Sequence, residues 1–312
     1  MMKFALMRPL LYMLFITMLI HMPHIFGDAA SDDEARGKTD KGKREKIEPL
    51  KIGNFALPAS QQIGPLIAIG QNIVDKHDFQ VFFSTNSDRA HNRDSTTVSI
   101  SPLYGITDSF SYFATIPFFV ENFQLPNSST GMGDITAAQF EYAFYDKTTL
   151  TWEIQMTALT GLTLPTGSAF KVPPTGFSAP GFGLGATAMF QAQYWYCFIS
   201  GGALMPTKRH IKRRTTQIGN RFVYQSGVEL EFGNPFGSII ALMVEMDGVY
   251  MQKSKINGII TAGKENTIAI TPSVWLSTKR FILQVGFEFL VAQPHSNFSD
   301  IFTFAGYVAW KF

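Results

Sequence analysis

The amino-acid sequence predicts an all-β fold, an antiparallel transmembrane β-barrel of about twelve strands, and three observations carry this prediction. Apolar residues recur at every second position over segments longer than the five or six residues of an ordinary strand. Tight turns alternate with longer loops along the chain. Charged residues are only 16% and aromatic residues are 14%, yet no stretch after residue 25 reaches the ~20 apolar residues of a spanning helix.

The first thirty residues have the pattern of a secretory signal peptide. Lys3 and Arg8 precede an apolar run over 10–20, and small residues follow between 27 and 30. A positively charged N-terminal region, a short apolar core and small residues at the cleavage site are typical of exported proteins. We therefore predict that residues 1–30 are a signal peptide cleaved between Gly27 and Ala30, with an uncleaved membrane anchor as the alternative.

Two further segments precede the predicted barrel. Residues 31–51 carry six acids and seven bases with two large apolar residues, which is too little apolar surface to repay ordering of the chain. This segment is predicted to be a disordered periplasmic tether. Residues 52–78 are apolar and punctuated by Pro and Gly, and three alternatives stay open for them. They line the periplasmic floor of the barrel, plug it, or add a strand.

The alternation of faces is clearest over residues 149–164. The even positions from Leu150 to Leu164 are apolar apart from one Thr, whereas the odd positions include Glu153 and Gln155. The same two-faced pattern recurs over 133–145, 217–232, 236–250 and 280–291. A charge at the bilayer midplane costs about 2–4 kcal/mol, so the apolar faces are assigned to lipid and the polar faces to the lumen. In a soluble sandwich the apolar faces would instead pack together.

The number of strands in residues 79–312 can be inferred from the predicted connections between them. Short turns are predicted near 104–108, 145–148, 191–196, 233–235 and 277–279, and long loops at 86–94, 120–132, 165–180, 207–216, 251–264 and 292–300. This alternation is typical of outer-membrane barrels, with turns at the periplasmic side and loops outside. An even number of strands returns the chain to the periplasm at Phe312, and the predicted location is the bacterial outer membrane, in contact with its lipid.

The predicted lumen face has an excess of acids. Arg221 and Lys311 are its two bases. The acids are Glu141, Glu153, Glu229, Glu231, Glu245, Asp247 and Glu288. A ring of acidic side chains selects cations, so one hypothesis is a cation-favouring pore. The alternative is a solvated and partly paired polar interior. On this face the glycines 181, 183 and 185 leave room for something packed inside, such as residues 52–75 or a loop.

The predicted outer loops carry bases without acids. One loop holds Lys208, Arg209, Lys212, Arg213 and Arg214. The loop at 251–264 adds three lysines. Such loops near the outer leaflet can bind the phosphates of lipopolysaccharide or steer anions, and ordinary solvated loop charge is the alternative.

Catalytic and cofactor chemistry has little support in the sequence. No His is spaced with Cys, Asp or Glu as in a metal site, and none lies on a predicted lipid-facing strand as a membrane phospholipase would require. Cys197 is the only cysteine, and the net charge of +2 does not indicate nucleic acid. We predict no cofactor, no metal and no enzyme activity. The oligomeric state stays open.

Two resemblances complete the picture. The last strand, over 302–312, ends in the aromatic Phe312 and resembles the strand by which outer-membrane barrels are recognised by the assembly machinery. Residues 131–168 contain Gly-Met-Gly-Asp134-Ile and then Leu164-Pro-Thr-Gly-Ser. This order resembles the outer-membrane transporter-like family named after the meta-pathway of phenol degradation, and it is strongest over residues 95–190.

That resemblance implies a barrel with a transport role but no proven binding residues. Physically, Gly131 and Gly133 suit a turn into a strand, and Asp134 can accept bonds from backbone amides there. The sequence therefore predicts a passive channel or transporter for small solutes, apolar or aromatic ones by the family resemblance. The alternative is a closed barrel that acts as a structural or host-contact surface protein through its loops.

Overall fold

The computed structural model describes residues 48–312 except 63, 68, 71, 91–92, 212–213, 234–236 and 293–301. The predicted signal peptide and residues 31–47 of the predicted tether lie outside the described residues. Among the described residues, no helix has the length and apolar character needed to cross a membrane. Two 3-10 helices, Gly53–Ala56 and Ala59–Gln61, precede the strands.

Twelve long strands form an up-and-down meander. They are β1 (Phe79–Ala90), β2 (Arg93–Thr107), β3 (Phe110–Gln124), β4 (Ile135–Thr148), β5 (Trp152–Leu164), β6 (Gly181–Ala192), β7 (Trp195–Pro206), β8 (Arg221–Gly233), β9 (Ile239–Met251), β10 (Glu265–Ser277), β11 (Phe281–Ala292) and β12 (Phe302–Lys311). Each strand pairs antiparallel with its neighbours, and β1 pairs with β12 from Gln80↔Lys311 to Arg89↔Phe302. The meander is therefore a closed barrel with no free edge.

The two faces of the strands differ as the alternation predicts. On β9, Leu242 and Val244 are 47% and 49% exposed, whereas Glu245 between Val244 and Met246 is 0% exposed. Large apolar side chains are exposed on the other strands as well, for example Phe287 and Phe289. An apolar outer face over every strand suits hydrocarbon.

Aromatic side chains gather near the short-turn end of the barrel. Trp152 stacks on Phe190 with ring centroids 6.0 Å apart, and Phe190 stacks on Trp195 at 4.8 Å. Phe281 and Trp310 meet edge to face at 6.2 Å. Amphipathic rings prefer the level of the lipid headgroups, so this girdle marks one membrane boundary.

Several predicted boundaries are wrong. In the predicted long loop at 86–94, residues 86–90 and 93–94 are strand, because β1 and β2 pair as far as Ala90↔Arg93. The predicted turn at 145–148 is strand up to Thr148, and the chain turns at 149–151 instead. The predicted outer loops also contain strands: Asn127–Ser128 and Gly131–Met132 pair with β3.

A second, four-stranded sheet stands at the long-loop end. It joins Arg209–Ile211, Arg214–Gln217, Ser254–Ile256 and Ile259–Ala262 in that order. The first pair comes from the connection between β7 and β8 and the second pair from the connection between β9 and β10. We call these four strands the outer sheet. Two loops that are separate in sequence thereby form one structure.

Candidate functional site

Residues 52–78, here called the inner segment, run through the barrel interior. The segment starts at the short-turn end, where the Asn54 N–H donates to the Gln193 carbonyl at 2.7 Å. It finishes at the same end, where the Lys76 N–H donates to Asp108 Oδ1 at 3.0 Å. Between these points the segment reaches the middle of the strands and returns.

Glu245 holds the segment at mid-height. Its Oε1 accepts the Leu66 N–H at 2.7 Å, and its Oε2 accepts the Ile67 N–H at 3.1 Å. A buried carboxylate needs hydrogen-bond donors, and buried backbone N–H groups need acceptors. Each group satisfies the other here, since charge-assisted bonds of this kind are stronger than neutral ones.

Two more wall side chains repeat this arrangement. Gln225 Oε1 accepts the Ile69 N–H at 2.8 Å. Glu141 Oε2 accepts the Asn72 N–H at 3.0 Å and the Asn72 side-chain amide at 3.2 Å. No described residue of the inner segment pairs with a barrel strand in a ladder. Between its two ends the segment is therefore held inside the barrel by discrete side-chain contacts, whereas its ends also form backbone hydrogen bonds with the barrel.

Small residues on the wall make room for the segment. A Cβ on Gly202 would lie 2.6 Å from Ile69 Cδ1, and one on Gly185 would lie 3.2 Å from the same atom. Phe182 and Leu184, between the glycines of β6, point outward and are each 53% exposed. The predicted lumen face of β6 is confirmed, and on it Gly185 leaves space for Ile69 of the inner segment.

The short-turn half of the lumen has an apolar floor. Leu57 of the inner segment packs in a buried cluster contributed by several strands. The wall members of this cluster are Tyr196, Phe198, Ile239, Ala241, Met243, Trp275, Ile282 and Ala309. Solvated acidic side chains therefore line only part of the lumen, because these apolar side chains and the inner segment fill the short-turn half.

Two of the remaining predicted lumen acids also have polar partners. Glu229 is fully buried and lies 3.5 Å from the Asn54 side-chain amide. Asp247 Oδ1 accepts from Gln225 Nε2 at 2.6 Å. Since Gln225 also accepts the Ile69 N–H, Asp247 contributes to holding the segment through Gln225.

The other predicted lumen residues lie farther from the segment's mid-height contacts. Glu153, Glu231 and Glu288 are half-buried, and Arg221 is exposed at the long-loop end of β8. Lys311 donates to the Asp78 carboxylate and, at 2.8 Å, to Ser60 Oγ. The last barrel strand therefore contacts both arms of the inner segment.

Asp134 ties the connection between β5 and β6 to β4. Its Oδ1 accepts the Gly167 N–H at 2.9 Å, and its Oδ2 accepts the Phe177 N–H at 2.6 Å. Thr166 Oγ1 donates to the Gly133 carbonyl at 2.8 Å. The two motifs that carry the family resemblance thus contact each other, and the predicted structural role of Asp134 is confirmed.

The described residues of the predicted basic patch do not share one environment in the structure. Lys208 and Arg214 are exposed, but Arg209 lies over the Phe177 ring at 5.8 Å and donates to the Phe177 carbonyl at 3.4 Å. Lys212 and Arg213 lie outside the described residues. Over the part of the chain that the structure describes, no group of three or more His, Cys, Asp or Glu could hold a metal ion.

Sequence reasoning missed Gln225, Ser111 and Thr187 as contacts of the inner segment. Thr187 Oγ1 donates to the Ile69 carbonyl at 3.1 Å, and Ser111 Oγ accepts the Val74 N–H at 3.2 Å. The available signal was their position on the lumen face, in phase with the predicted acids. Their partners are backbone groups, which leave no mark in a sequence.

The closed barrel, its apolar outer face and its aromatic girdle define a transmembrane β-barrel of the bacterial outer membrane. No protein-family profile and no curated protein sequence matches the chain. Among solved structures, an outer-membrane channel from Pseudomonas putida F1 superposes with a TM-score of 0.61 at 14% identity, over 80% of this chain and 100% of that one. This likeness establishes the barrel fold.

Two other channels resemble the chain more distantly. The NanC porin gives a TM-score of 0.43 at 11% identity, over 74% of this chain and 100% of that one. A mutant of the TodX monoaromatic hydrocarbon channel gives 0.39 at 9% identity, over 85% of this chain and 95% of that one.

Proposed function

We propose that the protein is a passive outer-membrane channel for small solutes, without enzyme activity, whose conductance is controlled by the inner segment. The observation that carries the proposal is the way the segment is held. Its backbone amides bond to Glu245, Gln225 and Glu141 rather than to a strand ladder. A segment held by a few side chains can leave or shift while the barrel wall stays closed.

The fold likeness to the Pseudomonas putida channel supports a channel, and the contact between Asp134 and Gly167 supports the transporter-like family of the resemblance. Small apolar or aromatic solutes are the substrate class that this family resemblance favours. The apolar floor around Leu57 and Trp275 suits such solutes better than strongly hydrated ones.

The test compares three chains in planar lipid bilayers: residues 31–312, a deletion of 31–78, and a matched deletion of 31–47 only. We expect the 31–78 deletion to raise single-channel conductance and the solute size taken up by liposomes. The 31–47 deletion should behave as the longer chain does, because it leaves every described contact of the inner segment in place. Equal conductance of all three chains would contradict control by the segment.

We further propose that the channel prefers cations. The lumen face has seven acids against Arg221 and Lys311, and Lys311 is paired with Asp78. An unequal electrolyte gradient across the bilayer should give a reversal potential of the sign for cation permeation. A reversal potential of the opposite sign would exclude the acidic lumen as the selectivity element.

A closed surface protein is the second candidate, and the packed floor around Leu57 is the observation that favours it. In that case all three chains would be silent in bilayers and impermeable to solutes. On either candidate, we propose that the barrel-assembly machinery is a partner through β12, whose terminal Phe312 is 74% exposed.

A further inference from the structure

The outer sheet gathers bases from two separate loops. The connection 207–220 holds Lys208, Arg209, Lys212, Arg213 and Arg214, and the connection 252–264 holds Lys253, Lys255 and Lys264. Neither connection contains an acid. Strand Arg214–Gln217 pairs with Ser254–Ile256, with Gln217 opposite Lys255. Among the described residues, Arg209, Arg214 and Lys255 of these two connections therefore lie in one sheet rather than in two independent loops.

One face of the outer sheet is turned toward the barrel's other loops, and one is free of them. Residues directly opposite in an antiparallel pair share a face, and neighbours along a strand alternate. Arg209 and Thr216 share a face, and Arg209 contacts Phe177 of the connection between β5 and β6. The opposite face carries His210, Lys255 and Ile260.

The free face combines positive charge with exposed apolar surface. Lys255 lies directly opposite Ile260, which is 51% exposed. Lys253 and Lys264 are also exposed and flank these two strands in the chain. None of the ion pairs found among the described residues involves these lysines. Their charge is thus available to a partner.

We propose that the free face of the outer sheet binds the phosphate groups of lipopolysaccharide in the surrounding outer leaflet. The sheet is built from two connections at the long-loop end of the barrel, which is the end assigned to the outside of the cell, where the outer leaflet carries these phosphates. Basic side chains near an anionic lipid surface attract it, and the adjacent Ile260 suits a partner that is both anionic and apolar. A free phosphate ion would use the lysines but not Ile260.

The experiment measures binding of fluorescently labelled lipopolysaccharide to the detergent-purified barrel. The test variant is Lys253→Gln/Lys255→Gln/Lys264→Gln, and the matched control, Lys147→Gln/Lys279→Gln/Arg280→Gln, removes three exposed bases at the short-turn end. We expect affinity to fall at least about tenfold, equivalent to about 1.4 kcal/mol, in the test variant only. Heat-modifiable migration on gels verifies that each variant is folded.

Two further arms identify the ligand chemistry. Enzymatically dephosphorylated lipopolysaccharide should bind the unaltered protein as weakly as intact lipopolysaccharide binds the test variant. Ile260→Ser should weaken lipopolysaccharide binding without changing the binding of inorganic polyphosphate. Unchanged affinity in the triple variant, equal loss in the control variant, or full affinity for dephosphorylated lipid would each overturn the proposal.

Discussion

Glu245 illustrates what a residue pattern reveals and what it hides. The alternation on β9 places Glu245 on the lumen face, and the structure buries it there completely. Its partners are the backbone amides of Leu66 and Ile67. Any residue other than proline has such an amide, so sequence could predict where the carboxylate points but not what it binds.

The substitution Glu245→Gln tests this contact. An amide offers one acceptor oxygen where the carboxylate offers two, and it carries no charge. A hydrogen bond to a charged group contributes about 1.5–3 kcal/mol, so weakening this pair should favour displacement of the inner segment. We expect roughly a tenfold rise in the open probability of the channel in bilayers.

Glu288→Gln is the matched control. It removes the same charge from the lumen at a half-buried position with no hydrogen bond to the inner segment in the described structure. Its open probability should stay near that of the unaltered protein. Equal gains in both variants would attribute the effect to lumen charge instead of to the contact with Leu66 and Ile67.

At the level of elements, the alternation predicts strand faces well and strand ends poorly. The segment from Ser84 to Arg89 is polar and reads as a loop, yet it pairs with β2 and β12. Outside the hydrocarbon a strand no longer needs an apolar face, so the period-two signal ends before the strand does. Arg89 instead forms ion pairs with Asp94 at 3.3 Å and Glu121 at 3.1 Å.

The connection between β5 and β6 offers a test at this scale. Asp134→Ala removes both acceptors for the Gly167 and Phe177 amides, so the connection 165–180 should loosen while the barrel stays folded. We expect trypsin to cleave after Lys171 several times faster, as followed by mass spectrometry. Asp146→Ala, at an exposed short-turn position, should leave the cleavage rate unchanged.

For the whole molecule, the sequence predicts the architecture because the membrane imposes a simple rule on every strand. Apolar side chains at the outward positions suit the hydrocarbon, and closure of the sheet into a ring pairs all backbone hydrogen-bonding groups of the strands. The sequence left open that residues 52–78 form a floor or a plug, but it did not predict that wall side chains such as Met243 and Trp275 pack there with Leu57. On β9 the lumen positions Ile239, Ala241 and Met243 are apolar, and this run was a signal for a filled interior.

A pair of arginine substitutions tests the orientation of the barrel in lipid. Val244→Arg, on the outer face in the middle of β9, should destabilise the protein by about 2–4 kcal/mol. Ile240→Arg, on the same face near the short-turn end, should cost only about 0–1 kcal/mol. Urea unfolding in lipid vesicles, followed by tryptophan fluorescence, measures both. Equal costs would contradict the assigned membrane position.

The path of the inner segment has a topological consequence. Because residues 52–78 dip into the barrel and come back out at the same rim, they are not threaded through it. Displacement of the inner segment therefore leaves all twelve strand pairings of the barrel intact. The energetic cost of clearing the passage is then set by the segment's own contacts and is separate from the stability of the wall.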